Sequence, residues 1–197
     1  RQYPSAIAGA ILIAILVLTS IVTVIAIPYP EAIERWRGGE VWERNPVNAA
    51  PVWVDRLLGG NRPATFAVTP DDDAVGTEPF PGGRRVEMPL AFDYEAGAFP
   101  SELNLFLSAD YEDTAPFVRL SWHTPDGREI PLGSHQVTGD RRLSISQNWD
   151  LQRRLGEVPH VGLFAADLQQ PGEVTEVATG EYRLQIDAIL FEPDAEL

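Results

Sequence analysis

Three histidines and two short acidic runs are the residues of this chain whose types could support metal or acid–base chemistry. His123, His135 and His160 are scattered, and none has the spacing of a metal-ligand pair. Asp71–Asp73 offers carboxylates without the alternation and the closing glutamate of a calcium loop. We interpret the histidines as surface or strand-edge residues. We interpret Asp71–Asp73, like the acidic positions within Asp110–Asp113, as solvated loop residues.

The sequence has none of the common motifs for nucleophilic or phosphate chemistry. It contains no cysteine, which excludes disulfides and thiolate catalysis, and it has neither a nucleophile elbow nor a phosphate-binding glycine loop. Gly82-Gly83 before Arg84-Arg85 predicts a turn rather than a nucleotide site. We therefore expect a protein that is not an enzyme and that uses no cofactor and no metal.

The most informative feature of the sequence is an uncharged stretch from Gln2 to Pro30. Its apolar core, Ala6 to Ile27, has 22 residues and would form a helix about 33 Å long, enough to cross a bilayer. A signal peptide is the alternative, but its apolar region is usually shorter and ends at a small-residue cleavage site. We predict that residues 1–29 form a transmembrane anchor.

Small residues recur on this predicted helix at intervals of four. They are Ala6, Gly9, Ala10 and Ala14. Such a strip lets a second helix approach closely, so it predicts packing against other transmembrane subunits. The alternative is a lipid-facing anchor with ordinary alanine content. Thr19 and Thr23 form a second pair that could donate hydrogen bonds across a helix interface.

The charge of the chain is strongly negative and limits its partners. There are 29 acidic residues and 15 basic ones, which gives a net charge of −14 and argues against nucleic acid as a partner. Arg1 is the only basic residue before the apolar stretch. Positive charge stays on the cytoplasmic side, so we predict a cytoplasmic N-terminus and an extracytoplasmic main domain in the cell membrane.

Residues 30–62 form a juxtamembrane segment rich in tryptophan and proline. Pro30–Trp36 predicts one short helix, and Val47–Leu58 predicts helical structure that includes Pro51–Leu58. Trp36, Trp42 and Trp53 lie within this segment. Tryptophan favours the membrane–water interface, but it is equally at home in a domain core, and both interpretations stay open.

Residues 63–197 alternate between apolar and polar types and predict an antiparallel β-sandwich or jelly roll. The predicted strands are Thr65–Thr69, Arg85–Tyr94, Glu102–Ser108, Phe117–Trp122, Glu129–Leu132, Leu143–Ser146, Val161–Ala165 and Tyr182–Asp187. Thr124–Gly127 predicts a hairpin turn, and Asp150–Leu155 a helical turn. Trp122 and Trp149 are expected in the core; on a sheet face they would instead offer a glycan-binding platform.

The juxtamembrane segment carries a recognisable pattern: Trp36-x5-Trp42-x2-Asn45-Pro46-x4-Pro51-x-Trp53. It resembles the start of the permease subunits of dipeptide/oligopeptide-type ABC importers, in which an extracytoplasmic domain can follow the first helix. The resemblance implies no catalytic residues, a docking role for these positions, and a periplasmic solute-binding protein as a partner.

The same family continues into five further helices and a cytoplasmic coupling loop. The resemblance therefore implies either a piece of a longer permease or a truncated relative. The alternative function is a single-pass accessory subunit of a larger respiratory or photosynthetic membrane complex. Such a subunit would stabilise the assembly or dock a basic soluble protein.

Overall fold

The computed structural model describes residues 4–36, 53, 54, 57, 59, 63–167, 176–192 and 194–197. The chain divides into two compact units, Arg1–Asn48 and Ala49–Leu197. The first contains helices α1 (Pro4–Ala26) and α2 (Tyr29–Trp36). The second is mainly β, and its described residues include two short helices after the sixth strand.

Helix α1 ends where proline requires it to end. The residue before a proline disfavours helical backbone, and the regular helix stops at Ala26, two residues before Pro28. Ile27 still donates its N–H to the Thr23 carbonyl at 2.9 Å. Helix α2 then begins at Tyr29 with Pro30 in its first turn, which confirms the helix predicted from Pro30.

In the described part of the chain, seven antiparallel strands make up two sheets of very different size. The large sheet has the order β1-β2-β7-β4-β5, and β3 pairs with β6 in the small one. The strands are β1 (Gly76–Phe80), β2 (Gly83–Tyr94), β3 (Asn104–Leu107), β4 (Phe117–His123), β5 (Glu129–Gln136), β6 (Arg141–Ser144) and β7 (Gly180–Leu190).

The longest pairing joins β2 to β7, from Arg84 opposite Leu190 to Tyr94 opposite Gly180. Strand β7 pairs with β4 on its other side. The last strand in the sequence is therefore the central strand of the large sheet.

One hydrophobic core joins the inner face of the large sheet to the small sheet and the short helices. Alternate residues of β2, β4 and β7 are buried, as the period of two predicts. Leu105 and Leu107 of β3 belong to the same core cluster, as do Leu151 and Leu163. The predicted fold class is confirmed: a mainly β, antiparallel, sandwich-like domain that follows one N-terminal apolar helix.

Aromatic side chains fill one end of this core. Phe92 and Tyr182 face each other across β2 and β7, with ring centroids 5.8 Å apart and planes 16° from parallel. Trp122 and Phe164 meet nearly edge to face, with centroids 5.4 Å apart. The Trp122 indole N–H donates to the Leu163 carbonyl at 3.1 Å, so burial of this ring leaves no polar atom unpaired.

The turn predicted at Thr124–Gly127 is present between β4 and β5. The Gly127 N–H donates to the Thr124 carbonyl at 2.9 Å, and Gly127 adopts a positive φ of 84° that favours glycine. The Arg128 N–H donates to the Thr124 hydroxyl at 3.1 Å.

Two short helices follow β6. Helix α3 (Trp149–Leu155) matches the predicted helical turn; the Asn148 side chain accepts the Leu151 N–H at 3.0 Å and caps it. Helix α4 (Pro159–Gly162) occupies part of Val161–Ala165, so the strand predicted there is wrong. Leu163, Phe164 and Ala165 are apolar because they are buried in the turn that follows. A short apolar run does not distinguish these two structures.

Two other strand predictions need correction, and one strand was missed. Thr65–Thr69 is irregular: Phe66 contacts Phe92 and Val68 packs on the core without a paired strand. The strand predicted at Leu143–Ser146 ends at Ser144, and a 3₁₀ turn, Ile145–Gln147, continues it. Strand β1 was not predicted because all five of its residues are exposed, which gives no alternating pattern.

Most of the helix predicted over Val47–Leu58 lies outside the described residues. Trp53, Val54 and Leu57 are described, and their conformation is helical.

The two tryptophans of the β domain provide a matched pair for a stability test. Trp122 is 1% exposed, as predicted for a core residue, whereas Trp149 is 78% exposed and the prediction that it is buried is wrong. Trp149 begins α3, where the cap at Asn148 turns its side chain to solvent.

We expect Trp122→Ala to lower the free energy of unfolding by about 3–5 kcal/mol, because it empties a packed aromatic site. Trp149→Ala should change it by less than about 0.5 kcal/mol. Urea denaturation of the detergent-solubilised chain, followed by far-UV circular dichroism, measures both. Equal effects would contradict the described core.

Candidate functional site

Helix α1 exposes apolar side chains on every face. The segment Ile7–Ala26 has 20 residues, a mean hydropathy of 2.7 and no buried fraction. Leu12, Leu16 and Val24 are 62%, 62% and 74% exposed. A helix that is apolar all round needs a surrounding that is not water. Helix α1 is therefore long and apolar enough to cross a membrane.

The two threonines of α1 use their hydroxyl groups within the helix. Thr19 donates to the Ile15 carbonyl and Thr23 to the Thr19 carbonyl, each at 2.8 Å. Bonding of these threonines across a helix interface stays a prediction. Both hydroxyl protons already have an acceptor in α1, so neither carries the cost of an unpaired group in hydrocarbon.

The predicted helix-packing residues lie on the exposed surface of α1. Gly9, Ala10 and Ala14 are exposed, and a Cβ atom placed on Gly9 would meet nothing within 4 Å. Ala6 lies in α1, but its side chain is outside the described part. The three described positions are accessible to another helix.

The predicted juxtamembrane docking residues are described only in part. Trp36 ends α2 and is 91% exposed, and Trp53 is 61% exposed, so neither ring is a core residue. Trp42, Asn45, Pro46 and Pro51 lie outside the described residues.

The outer face of the large sheet is polar and predominantly acidic. One row across β2, β7, β4 and β5 is made of Pro89, Gln185, Ser121 and Pro131. The charged outward positions of the described strands are Glu78, Arg85, Glu87, Asp93, Arg119, Glu129, Glu181, Arg183 and Asp187. Carboxylates outnumber guanidinium groups on this face by two to one.

One end of the outer face is apolar. Phe117 of β4 lies opposite Ile189 of β7, and Phe117 is 38% exposed. An exposed aromatic ring beside a polar surface is the usual composition of a protein-binding surface. Sequence analysis missed this face, although the outward phase of each predicted strand contained it.

A shallow cleft of about 330 Å³ lies at the other end of the sheet. His123, Thr124, Pro125, Glu181 and Arg183 line it, and Glu181 pairs with Arg183 at 3.3 Å. The two charges offset each other, so the cleft has no strong preference for an anion or a cation.

The structure describes the surroundings of two of the histidines and of the acidic run at Asp71–Asp73. Burial lowers the pKa of His135, and the Arg141 charge lowers it further. Burial also lowers the pKa of His160, against the opposing effect of Glu157. Asp71 caps the 3₁₀ turn Asp72–Ala74. Among the described residues, no three His, Asp or Glu side chains converge as metal ligands.

The residues after β7 close back onto the loop before β4. The Glu192 carboxylate accepts the N–H groups of Glu112, Asp113 and Thr114 at 2.7, 2.8 and 2.5 Å. These three donors lower the pKa of Glu192. We call this contact the Glu192 clasp.

Two further contacts hold the same segment. Asp110 and Glu196 exchange backbone hydrogen bonds, and the Arg84 guanidinium donates to the Ala195 carbonyl at 2.5 Å. The end of the described chain is thus attached to β2 and to the loop before β4.

No protein-family model, curated protein or solved structure matches this chain. The resemblance to peptide-type permeases therefore stays a prediction that rests on the residues from Trp36 to Trp53.

The Glu192 clasp gives a pH-dependent stability. Because its folded-state pKa is lowered, its contribution is present above about pH 4.5, the ordinary value for a glutamate, and is lost as the pH falls through the folded-state pKa. We expect Glu192→Gln to lower the unfolding free energy at pH 7. The difference from the parent chain should shrink as the pH falls below 4.5.

Glu129→Gln, on the outer sheet face, is the control and should change stability by less than about 0.5 kcal/mol at pH 7. Urea titrations of the three proteins at pH 7 and at acid pH test this. A Glu192→Gln effect that is the same at both pH values would contradict the clasp.

Proposed function

We propose that this chain is a single-pass membrane protein whose extracytoplasmic β domain has a structural or docking role and no catalytic one. The observation that carries the proposal is Ile7–Ala26, a 20-residue apolar segment with no part buried. Burial of one leucine-sized side chain is worth about 1.5–3 kcal/mol, so the exposed apolar surface of α1 strongly favours a bilayer.

The orientation follows from charge. Arg1 precedes the apolar stretch, and retention of this positive charge keeps the N-terminus in the cytoplasm. The main domain then lies on the extracytoplasmic side. The domain is acidic and contains no cysteine, so its folding does not depend on whether that compartment is oxidising or reducing.

The specific form of the proposal is the N-terminal part of a peptide-type ABC importer permease. It is supported by the Trp36–Trp53 pattern and by the order of an apolar helix, a short helix and a β domain. In this form the β domain offers a docking surface to a periplasmic solute-binding protein.

The second candidate is an accessory subunit of a respiratory or photosynthetic complex. Exposure of Gly9, Ala10 and Ala14 on α1 favours it, because a strip of small residues admits a neighbouring helix. Either function uses the outer sheet face to receive a soluble partner, and its acidic excess would steer a basic one.

Intact-mass analysis after a mild-detergent pull-down distinguishes the two. A native mass well above 21.7 kDa with a co-purifying ATPase supports the permease. A mass near that value with stoichiometric membrane subunits supports the accessory subunit. A monomer of that mass without partners would contradict the docking role.

Charges within α1 should abolish membrane attachment. Each arginine at the centre of a spanning helix costs about 2.5–3.5 kcal/mol of insertion free energy. We therefore expect Ile13→Arg combined with Val17→Arg to move the chain out of the alkaline-carbonate-resistant membrane fraction. Ser134→Arg, on the exposed part of β5, should leave it there. Release of the parent chain by carbonate would contradict the anchor.

Photo-crosslinking identifies the docking face with two matched positions. Phe117 lies on the outer face of the large sheet, and Phe106 lies on the small sheet; they are 38% and 45% exposed. We expect p-benzoylphenylalanine at Phe117, and not at Phe106, to crosslink the chain to its co-purifying partner in cells. A crosslink at Phe106 alone would move the docking surface to the small sheet.

A further inference from the structure

Helix α2 has one apolar and one charged side. At 100° per residue, Tyr29, Ile33 and Trp36 lie within about 60° of one another around the helix axis. Glu31 lies on the opposite side. Tyr29 is 78% and Trp36 is 91% exposed. The described contacts of this unit therefore leave two large aromatic rings on the apolar side without cover.

The position of α2 in the chain restricts what can cover this side. Only Ile27 and Pro28 separate α1 from α2, and three Cα–Cα steps span at most about 11 Å. The headgroup layer on each side of a bilayer is about 5–8 Å thick. If α1 fills the hydrocarbon core, α2 begins within or just beyond this layer.

The composition of the two sides matches that layer. Tyrosine and tryptophan concentrate where an apolar ring can enter lipid while its O–H or N–H stays hydrated. The backbone N–H of Ala32 donates to the Pro28 carbonyl at 3.0 Å, so α2 is hydrogen-bonded from its first turn.

We propose that α2 is an interfacial helix whose Tyr29–Ile33–Trp36 side enters the outer headgroup layer of the membrane. The inference rests on the proposed membrane anchor. It adds a second contact with the lipid, made by a helix that lies along the membrane surface. The sequence of α2 contains two glutamates and one arginine, so the helix has no excess positive charge. Binding therefore depends on apolar area and aromatic rings, and zwitterionic phosphatidylcholine suffices.

The absence of cysteine from the sequence makes a direct test straightforward. Single-cysteine variants of the full chain, Ile33→Cys, Glu31→Cys and Val17→Cys, are spin-labelled and reconstituted in phosphatidylcholine vesicles. Electron paramagnetic resonance then measures the collision rate of each label with oxygen, which concentrates in lipid, and with a water-soluble nickel chelate. Ile33 and Glu31 lie about 160° apart around α2 and are matched probes.

We expect the oxygen-to-nickel ratio at Ile33→Cys to be several-fold higher than at Glu31→Cys and lower than at Val17→Cys. Equal ratios at the two α2 positions would overturn the inference, as would an Ile33→Cys label shielded from both reagents by protein. In either case a lipid-like ratio at Val17→Cys leaves the anchor intact. A water-like ratio at Val17→Cys overturns the anchor and the inference together.

A measurement without a label uses the native ring. Brominated phosphatidylcholine should quench the fluorescence of the parent chain more than that of Trp36→Phe. Equal fractional quenching would contradict contact between Trp36 and lipid.

Discussion

The sheet depends on β7, the last strand of the sequence, which lies between β2 and β4 and hydrogen-bonds to both. Its alternate residues from Tyr182 to Leu190 are buried and meet the inner residues of both neighbours. Without β7, β2 keeps only the exposed strand β1 as a partner, and β4 keeps only β5. The core, the aromatic cluster and the outer face of the large sheet all require this one strand to be in register.

Two parts of the chain that are close in sequence require opposite surroundings: one is apolar and the other is aqueous. The Ile7–Ala26 segment of α1 is uncharged and exposes mainly apolar side chains, whereas carboxylates form the majority of the charged side chains on the outer face of the large sheet. Helix α2 follows α1 after two residues and has one side suited to each environment. This order of apolar, two-sided and acidic elements suits the proposed membrane boundary.

Much of the fold follows from local patterns in the sequence, because burial alternates along β2, β4 and β7 and apolar residues cover all of α1. The patterns fail where the structure depends on distant contacts. Nothing near Glu192 in the sequence indicates that its carboxylate meets Glu112–Thr114, some 80 residues earlier. Strand β1 lacks a buried phase, and Trp149 is apolar but exposed. The sequence already places Tyr29, Ile33 and Trp36 on one side of a predicted helix. Tryptophan fits a membrane interface and a domain core equally well, so the sequence alone does not choose between these two surroundings.

The central position of β7 determines when the domain can fold during synthesis. Residues 180–190 leave the ribosome after all the other described strands. Strands β2 and β4 therefore lack their shared neighbour until more than 80 further residues have been added after β2. Pairing of such distant segments is slow, and unpaired strand edges stay open to other chains meanwhile. The sequence contains no cysteine, so no disulfide can hold these segments together before they pair. On the proposed topology, this delay lets the polypeptide reach the far side of the membrane before its sheet closes.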